Sequence, residues 1–287
     1  MRYASIHVHD SYSDGLARSG EYVNHAIRLR METLGFSAHV PLPLENSWSM
    51  RLENTKDYVH DILALKKKSK GTLDVLLGME IDHVEGMDIW EYAGIPELPL
   101  DYFLGAVHYV YSESLGEHFS VDPDEQGFVF LLEKGFNGDM EKLYRTYYEA
   151  VRGMIKAYAP PVVAHLDILR KNNRGQRFFR EDDPGYLEEV RMTLATALRA
   201  GSLIEVNTGG MARGYTDEPY PSKNILMMCR EMGLGVMVNS DAHSPDGLTH
   251  GYPEVFRLLE KAGFEGHHVL EDGEYRLRRF QPGGVGV

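Results

Sequence analysis

Seven short apolar runs punctuate the chain, at residues 3–8, 34–38, 73–79, 102–107, 161–164, 202–206 and 234–238. Each has the length of a strand, and longer patterns with helical periodicity fill the gaps between them. The helical patterns cover residues 21–32, 57–68, 140–158, 184–200, 222–232 and 253–262. Boundary residues agree with this division. Ser19 stands near the start of the first helical pattern, Gly35 after its end, and Gly263 after the last. Ser or Pro before a helix and Gly after it are the expected start and stop signals. Strands that alternate with helices predict a parallel sheet, open or closed.

The residues at the ends of the runs select the closed form. In order they are His7/His9, His39, Glu80, His108, His165, Glu205/Asn207 and Asp241/His243. An open sheet gathers function at a switch point between a few strands. A barrel brings every strand end to one mouth. The pattern therefore predicts an α/β fold, a (β/α)7 barrel like a distorted TIM barrel, formed by residues 1–280 as one domain. The longest interruption, about 109–139, holds Phe119, Phe128, Phe130 and Phe136 and is expected to cover the mouth. Residues 281–287 read as a flexible tail.

Composition narrows the function. The chain has 287 residues and a formal net charge of −13, which argues against a nucleic-acid partner. No apolar run is long enough to cross a membrane, and no signal peptide is visible. The single cysteine, Cys229, lies in a helical pattern and fits a reduced, cytoplasmic setting.

His7 and His9 are spaced so that both imidazoles leave a strand on the same face. Together with His39, His108, His165, His243, Asp14, Glu80 and Asp241 they are too many ligands for one ion. At about four ligands per centre, counting shared ones, they suit two or three divalent metal ions. Imidazole and carboxylate ligands accept zinc, iron or manganese. Three such ions and three carboxylates leave positive charge that a hydroxide and a phosphate dianion would balance. That points to the hydrolysis of a phosphomonoester, a reaction whose uncatalysed rate is among the slowest in water.

These residues also sit in motifs. They are His7-Val-His9-Asp-Ser-Tyr-Ser-Asp14-Gly, Phe36-Ser-Ala-His39-Val-Pro-Leu-Pro, Gly78-Met-Glu80-Ile-Asp82 and Asp101-Tyr-Phe-Leu-Gly-Ala-Val-His108-Tyr. Further along come Ala164-His165-Leu-Asp167, Glu205-Val-Asn207-Thr-Gly-Gly, Glu218-Pro-Tyr-Pro-Ser222 and Asn239-Ser-Asp241-Ala-His243. The set resembles the polymerase-and-histidinol-phosphatase (PHP) superfamily, in its stand-alone histidinol-phosphatase branch. The resemblance implies a distorted seven-stranded barrel with a trinuclear site. It implies that His7, His9, Glu80 and Asp241 hold one ion. Glu80 would bridge to a second, completed by His108 and His165, and Asp14, His39 and His243 would hold the third. Asp10 stands where Ser or Thr is commoner, and Gly209-Gly210 where Ser-Gly is frequent.

The implied activity is hydrolysis of L-histidinol phosphate in histidine biosynthesis, with Asp241 or His243 managing the proton of the leaving group. One alternative is another small phosphomonoester or a nucleotide; a second is a metal-binding regulatory module without activity. Arg170 and Arg213 lie beyond strand ends and are the expected phosphate contacts, since a guanidinium can grip phosphate at two points. Glu113 or Glu117 in the mouth insertion would pair with the substrate's ammonium. Asp82 and Asp167 could orient ligating histidines or simply be solvated. Of the other histidines, His25, His60, His83, His118, His267 and His268 are read as surface residues, and His250 as a weak candidate beside the last ligand strand. Tyr144, Tyr147, Tyr148 and Val151 are spaced as a buried helix face.

Overall fold

The computed structural model describes residues 3–280, so the 281–287 tail lies outside the described residues. Its strands are β1 Ala4–Ser5, β2 Thr33–Phe36, β3 Asp74–Asp82, β4 Tyr102–Ala106, β5 Tyr109–Ser112, β6 Glu117–Ser120, β7 Val162–Val163, β8 Leu203–Asn207, β9 Val236–Asn239, β10 Gly266–Glu271 and β11 Glu274–Arg279. The main sheet runs β1-β2-β3-β4-β7-β8-β9-β10-β11, and β5-β6 form a separate hairpin. Pairing is parallel from β1 to β10, and β11 is antiparallel to β10. The sheet curls until its ends meet at the mouth. Val8 bridges Ala242 in parallel, and His9 N donates to Ala242 O at 3.0 Å. The predicted runs all become strands of this distorted barrel.

Side chains alternate along each strand, so one phase faces the barrel interior and the other the helices. On β3, Val75, Leu77, Met79 and Ile81 join one buried cluster under the helices. Leu76 belongs to a different cluster, with Tyr102, Leu104 and Ala106 of β4 and Met237 of β9. The phase that carries Leu76 continues to Glu80 and Asp82, and that of Leu104 continues to His108. Strand periodicity therefore delivers the ligand-type residues to the same side as the inner core.

Helices occupy the predicted gaps: Ser19–Arg28, Thr55–Ser69, Met140–Tyr158, Pro184–Ala200, Lys223–Met232 and Tyr252–Lys261. Asp139 caps the third of these by accepting from Lys142 N, and Asp183 caps the fourth by accepting from Gly185 N. Tyr144, Tyr147, Tyr148 and Val151 are buried as expected, with the Tyr148 hydroxyl donating to Tyr186 at 2.9 Å.

Two differences stand out. The sheet continues past the predicted strands with β10 and β11, where mixed polarity hides the alternation. His267, on β10, is therefore buried at 4% exposure rather than on the surface. It packs against Phe256 and Phe280.

Candidate metal centre

Glu80 sits at the middle of the mouth, fully buried, with its two oxygens facing different partners. Oε2 lies 3.1 Å from His7 Nε2 and 3.3 Å from His9 Nε2. Oε1 lies 2.7 Å from His165 Nε2. Asp241 Oδ1 completes the first group, 3.6 Å from His7 Nε2 and 3.3 Å from His9 Nε2. The Asp241 backbone has a φ of 46°, in the left-handed region that a residue with a side chain rarely enters. Such strain is typical of functional positions.

A second group forms around Asp14. Its Oδ2 lies 3.0 Å from His243 Nε2, and its Oδ1 lies 4.0 Å from His39 Nε2. The His39 and His108 rings flank Asp82, which accepts from His39 Nδ1 at 3.0 Å and from His108 Nδ1. Four overlapping sets bring ligand atoms within 4.8 Å of one another: His9/Asp14/His39/His243, His39/Glu80/Asp82/His108, His7/Glu80/His165 and His7/His9/Asp241. All nine sequence-predicted ligands belong to at least one set.

The donors fit divalent metal ions on two counts. Among the described residues, the buried atoms His9 Nδ1, Asp14 Oδ1 and His165 Nδ1 have no hydrogen-bond partner, which is costly unless something else engages them. Protonation also stands in for metal charge. Burial opposes a charge on His39, but Glu80 and Asp82 outweigh it and push the imidazole up to about 10. Burial opposes a charge on His108 too, and Asp82 pushes it up to about 9. Glu80, penalised by burial, is held well below the usual carboxylate range by His39 and His7. Imidazoles that keep protons against carboxylates are sites where a cation can displace those protons.

The ligands open into a cavity of about 410 Å³, lined also by Trp48, Asp122, Lys171, Arg213, Tyr215 and Tyr220. A wider groove of about 1160 Å³ between Arg30, Lys66 and Asp74 carries mixed charges and none of the clustered ligand sets, so the chemistry belongs to the mouth. Arg213 reaches Asp241 Oδ2 at 2.9 Å and also contacts the His243 ring. A side chain at Gly209 would start 2.6 Å from Asp241 Oδ2, so this packing requires glycine there. Asp10 is buried and accepts from Ser19 and from Tyr12 N, which pins the loop after β1.

Three expected substrate contacts do not converge on the mouth. Arg170 is buried in an ion network, with Nε donating to Glu181 at 2.8 Å and NH1 donating to Pro219 O at 3.1 Å. Its neighbour Lys171 lines the cavity instead. Glu113 is 76% exposed and pairs with Lys142, and Glu117 is exposed at the start of β6. The insertion reaches the mouth through Ser120, Asp122 and Pro123. The expected ligands omit Glu205, which is fully buried and accepts from His7 Nδ1 at 2.7 Å and from His165 N at 2.9 Å. Its place at a strand end was the available signal. Trp48, whose ring lies 4.5 Å from that of His39, follows no strand end and gave none.

A curled, mainly parallel α/β barrel sheet whose strand ends gather histidines and carboxylates around several cation positions defines a metal-dependent barrel protein with a multinuclear centre. The chain belongs to the PHP domain family, whose pattern matches residues 5–209. It is 28% identical, over 91% of its length and 92% of the relative's, to a Deinococcus radiodurans protein named "Probable histidinol-phosphatase". It is 25% identical to the histidinol-phosphatase of Bacillus subtilis, over 81% of this chain and 89% of that one. In fold it matches the histidinol phosphate phosphatase of Lactococcus lactis, solved with zinc, L-histidinol and phosphate. The TM-score is 0.74 at 18% identity, over 96% of this chain and 99% of that one.

Proposed function

We propose that this protein is a metal-dependent phosphomonoesterase that hydrolyses L-histidinol phosphate to L-histidinol and phosphate. The observation that carries the reading is the convergence of His7, His9, Asp14, His39, Glu80, His108, His165, Asp241 and His243 in overlapping ligand sets, seven of them lining one cavity. The names of relatives aligned over most of both chains support the substrate. His7, His9, Glu80 and Asp241 would hold one ion, Glu80 with His108 and His165 a second, and Asp14, His39 and His243 a third. Bound divalent ions supply neutralisation of phosphoryl oxygens and acidification of water.

The chain's own residues do the rest. Arg213 and Lys171, the cations lining the cavity, hold the phosphate, with Arg213 able to present two N–H groups. Trp48 packs against the His39 ring and walls that side of the cavity. Asp241, held by Arg213 through Oδ2, would present Oδ1 to an ion and so orient the attacking water, and the leaving alkoxide takes its proton from a water in the cavity. Burial opposes charge on Asp241, but Arg213 and His7 keep it ionised, the form in which a carboxylate binds a cation. No helix among the described residues is long and apolar enough to cross a membrane. The net charge of −13 favours a small substrate over nucleic acid, and the single cysteine fits the cytoplasm.

Assay of the metal-loaded protein on histidinol phosphate, nucleotides and single-stranded DNA tests this. A kcat/KM for histidinol phosphate well above the others is expected. Comparable turnover of every phosphomonoester would reject the substrate, and a fully metallated but inactive protein would reject the enzyme.

A further inference from the structure

Four carboxylates line the mouth cavity: Asp14, Glu80, Asp122 and Asp241. The first, second and last belong to the clustered ligand sets, and Asp122 belongs to none. It enters from the insertion, two residues past β6. Its Oδ1 accepts from Ser120 Oγ at 3.1 Å, and its Oδ2 lies 3.2 Å from Lys171 Nζ. Lys171 also donates to the Asp122 backbone carbonyl. Both side chains are only about one-fifth exposed, at 19% for Asp122 and 21% for Lys171. Their open side is the cavity.

The pair is joined to the ligand residues by a chain of contacts. Lys171 Nζ stands 5.0 Å from the centre of the Tyr215 ring, and the Arg213 guanidinium carbon lies 5.8 Å from the same ring. Arg213 in turn reaches Asp241. Lys171, Tyr215 and Arg213 thus connect Asp122 with Asp241, and Asp122 itself lies close enough to His108 and His165 to feel their charge. A ligand anchored by phosphate at Arg213 and Lys171 would meet a fixed negative charge just past its phosphate. Histidinol phosphate carries an ammonium on the carbon next to the one that bears its phosphate ester, so its two charges are also close and opposite.

We propose that Asp122 is the specificity-determining carboxylate that receives the substrate's ammonium. The inference rests on the histidinol phosphate reading. In the empty cavity Lys171 neutralises Asp122. When phosphate draws the lysine, the substrate's own ammonium replaces it on Oδ2, and neither charge is left unpaired in a partly desolvated wall. An amine-free phosphomonoester would leave Asp122 facing phosphate without that partner and is disfavoured by the same residue.

The test compares substrates that differ only in the amine: histidinol phosphate against 3-imidazolylpropyl phosphate, and ethanolamine phosphate against ethyl phosphate. The readout is the ratio of kcat/KM within each pair. In the parent protein the amine-bearing member is favoured. In Asp122→Asn the preference falls about 10- to 100-fold, the size of a hydrogen bond to a charged group. A preference in Asp122→Asn within twofold of the parent's overturns the proposal. If Asp122→Asn fails to fold, Asp122→Glu keeps the charge and displaces it, and is expected to lose part of the preference; full retention overturns the proposal. Failure of the parent to hydrolyse histidinol phosphate overturns the substrate reading instead, and the ethanolamine pair then judges Asp122 by itself.

Discussion

His7 Nδ1 donates to Glu205 Oε1 at 2.7 Å, which fixes the imidazole so that Nε2 faces Glu80 and Asp241. Glu205 accepts on both oxygens: Oε1 also takes Asn239 Nδ2 at 3.0 Å, and Oε2 takes His165 N at 2.9 Å and Asn207 Nδ2 at 2.9 Å. A carboxylate is acceptor only, so every one of its contacts is satisfied. Burial works against its charge, and His7 holds it below the ordinary carboxylate range. Glu205→Gln must turn an amide N–H₂ toward two of these donors. Since partners that orient metal-binding histidines are worth 10- to 100-fold in affinity, a loss of about that size is expected. Competition with a chromophoric chelator measures it, and an unchanged affinity would show that His7 needs no such support.

The ligands themselves make a sharper test. His9 contacts both Asp241 and Glu80 through Nε2 and faces Asp14 through Nδ1. His9→Ala or Asp241→Ala is expected to abolish phosphatase activity and lower the bound metal by at least one ion per chain, while the circular dichroism spectrum stays that of a folded α/β protein. Elemental analysis beside activity measures both. Full activity in either variant is incompatible with the site described.

Strand phase explains how much of this was legible in the sequence. The expected ligands end apolar runs, and a run with period two sends its last polar residue to a known face; hence the placement of His39, Glu80 and His108 at the mouth. His165 follows Ala164 of the inner cluster, so alternation alone would turn it to the helix side with Val163; a backbone φ of 21° brings it to the mouth instead. The substrate contacts come from loops, where no period applies. Arg170 and Lys171 are adjacent in a 3₁₀ turn, Ile168–Asn172, and only the backbone path decides which faces the cavity. Glu113 and Glu117 flank the tip of the β5-β6 hairpin, which points away, whereas Asp122 follows its base. β10 is not legible as a strand because His267-His268 breaks its apolar pattern.

Arg170 is thereby reassigned from substrate to scaffold, and the two roles differ in outcome. It is 8% exposed, its Nε holds Glu181, and its NH1 lies 3.5 Å from Asp167 Oδ2. Burial pushes Asp167 up to about 6 even with Arg170 beside it. Removing one partner of a buried ion network costs about 3–5 kcal/mol, because the other charges stay buried without compensation. Arg170→Met should therefore lower the urea midpoint strongly. Arg213→Met should instead raise KM for the phosphomonoester with a smaller effect on stability. The opposite pattern would return Arg170 to the phosphate.

His267, which belongs to none of the clustered ligand sets, gives the fold a measurable sensitivity to acid. Burial lowers its pKa from 6.5 to about 3, and the charges of Arg278 and His268 push in the same direction. The folded state keeps the ring neutral, while the unfolded chain protonates it below about 6.5. The unfolded state then binds the extra proton, so stability from this residue is intact above pH 6.5 and is lost as the pH falls toward 3. At pH 5 the loss amounts to about 2 kcal/mol. His267→Phe, placed between Phe256 and Phe280, should remove that part of the pH dependence. Urea unfolding of parent and variant at pH 7 and pH 5 measures it: the parent should lose more stability between the two than the variant does, and equal losses would mean that His267 is protonated without cost in the fold.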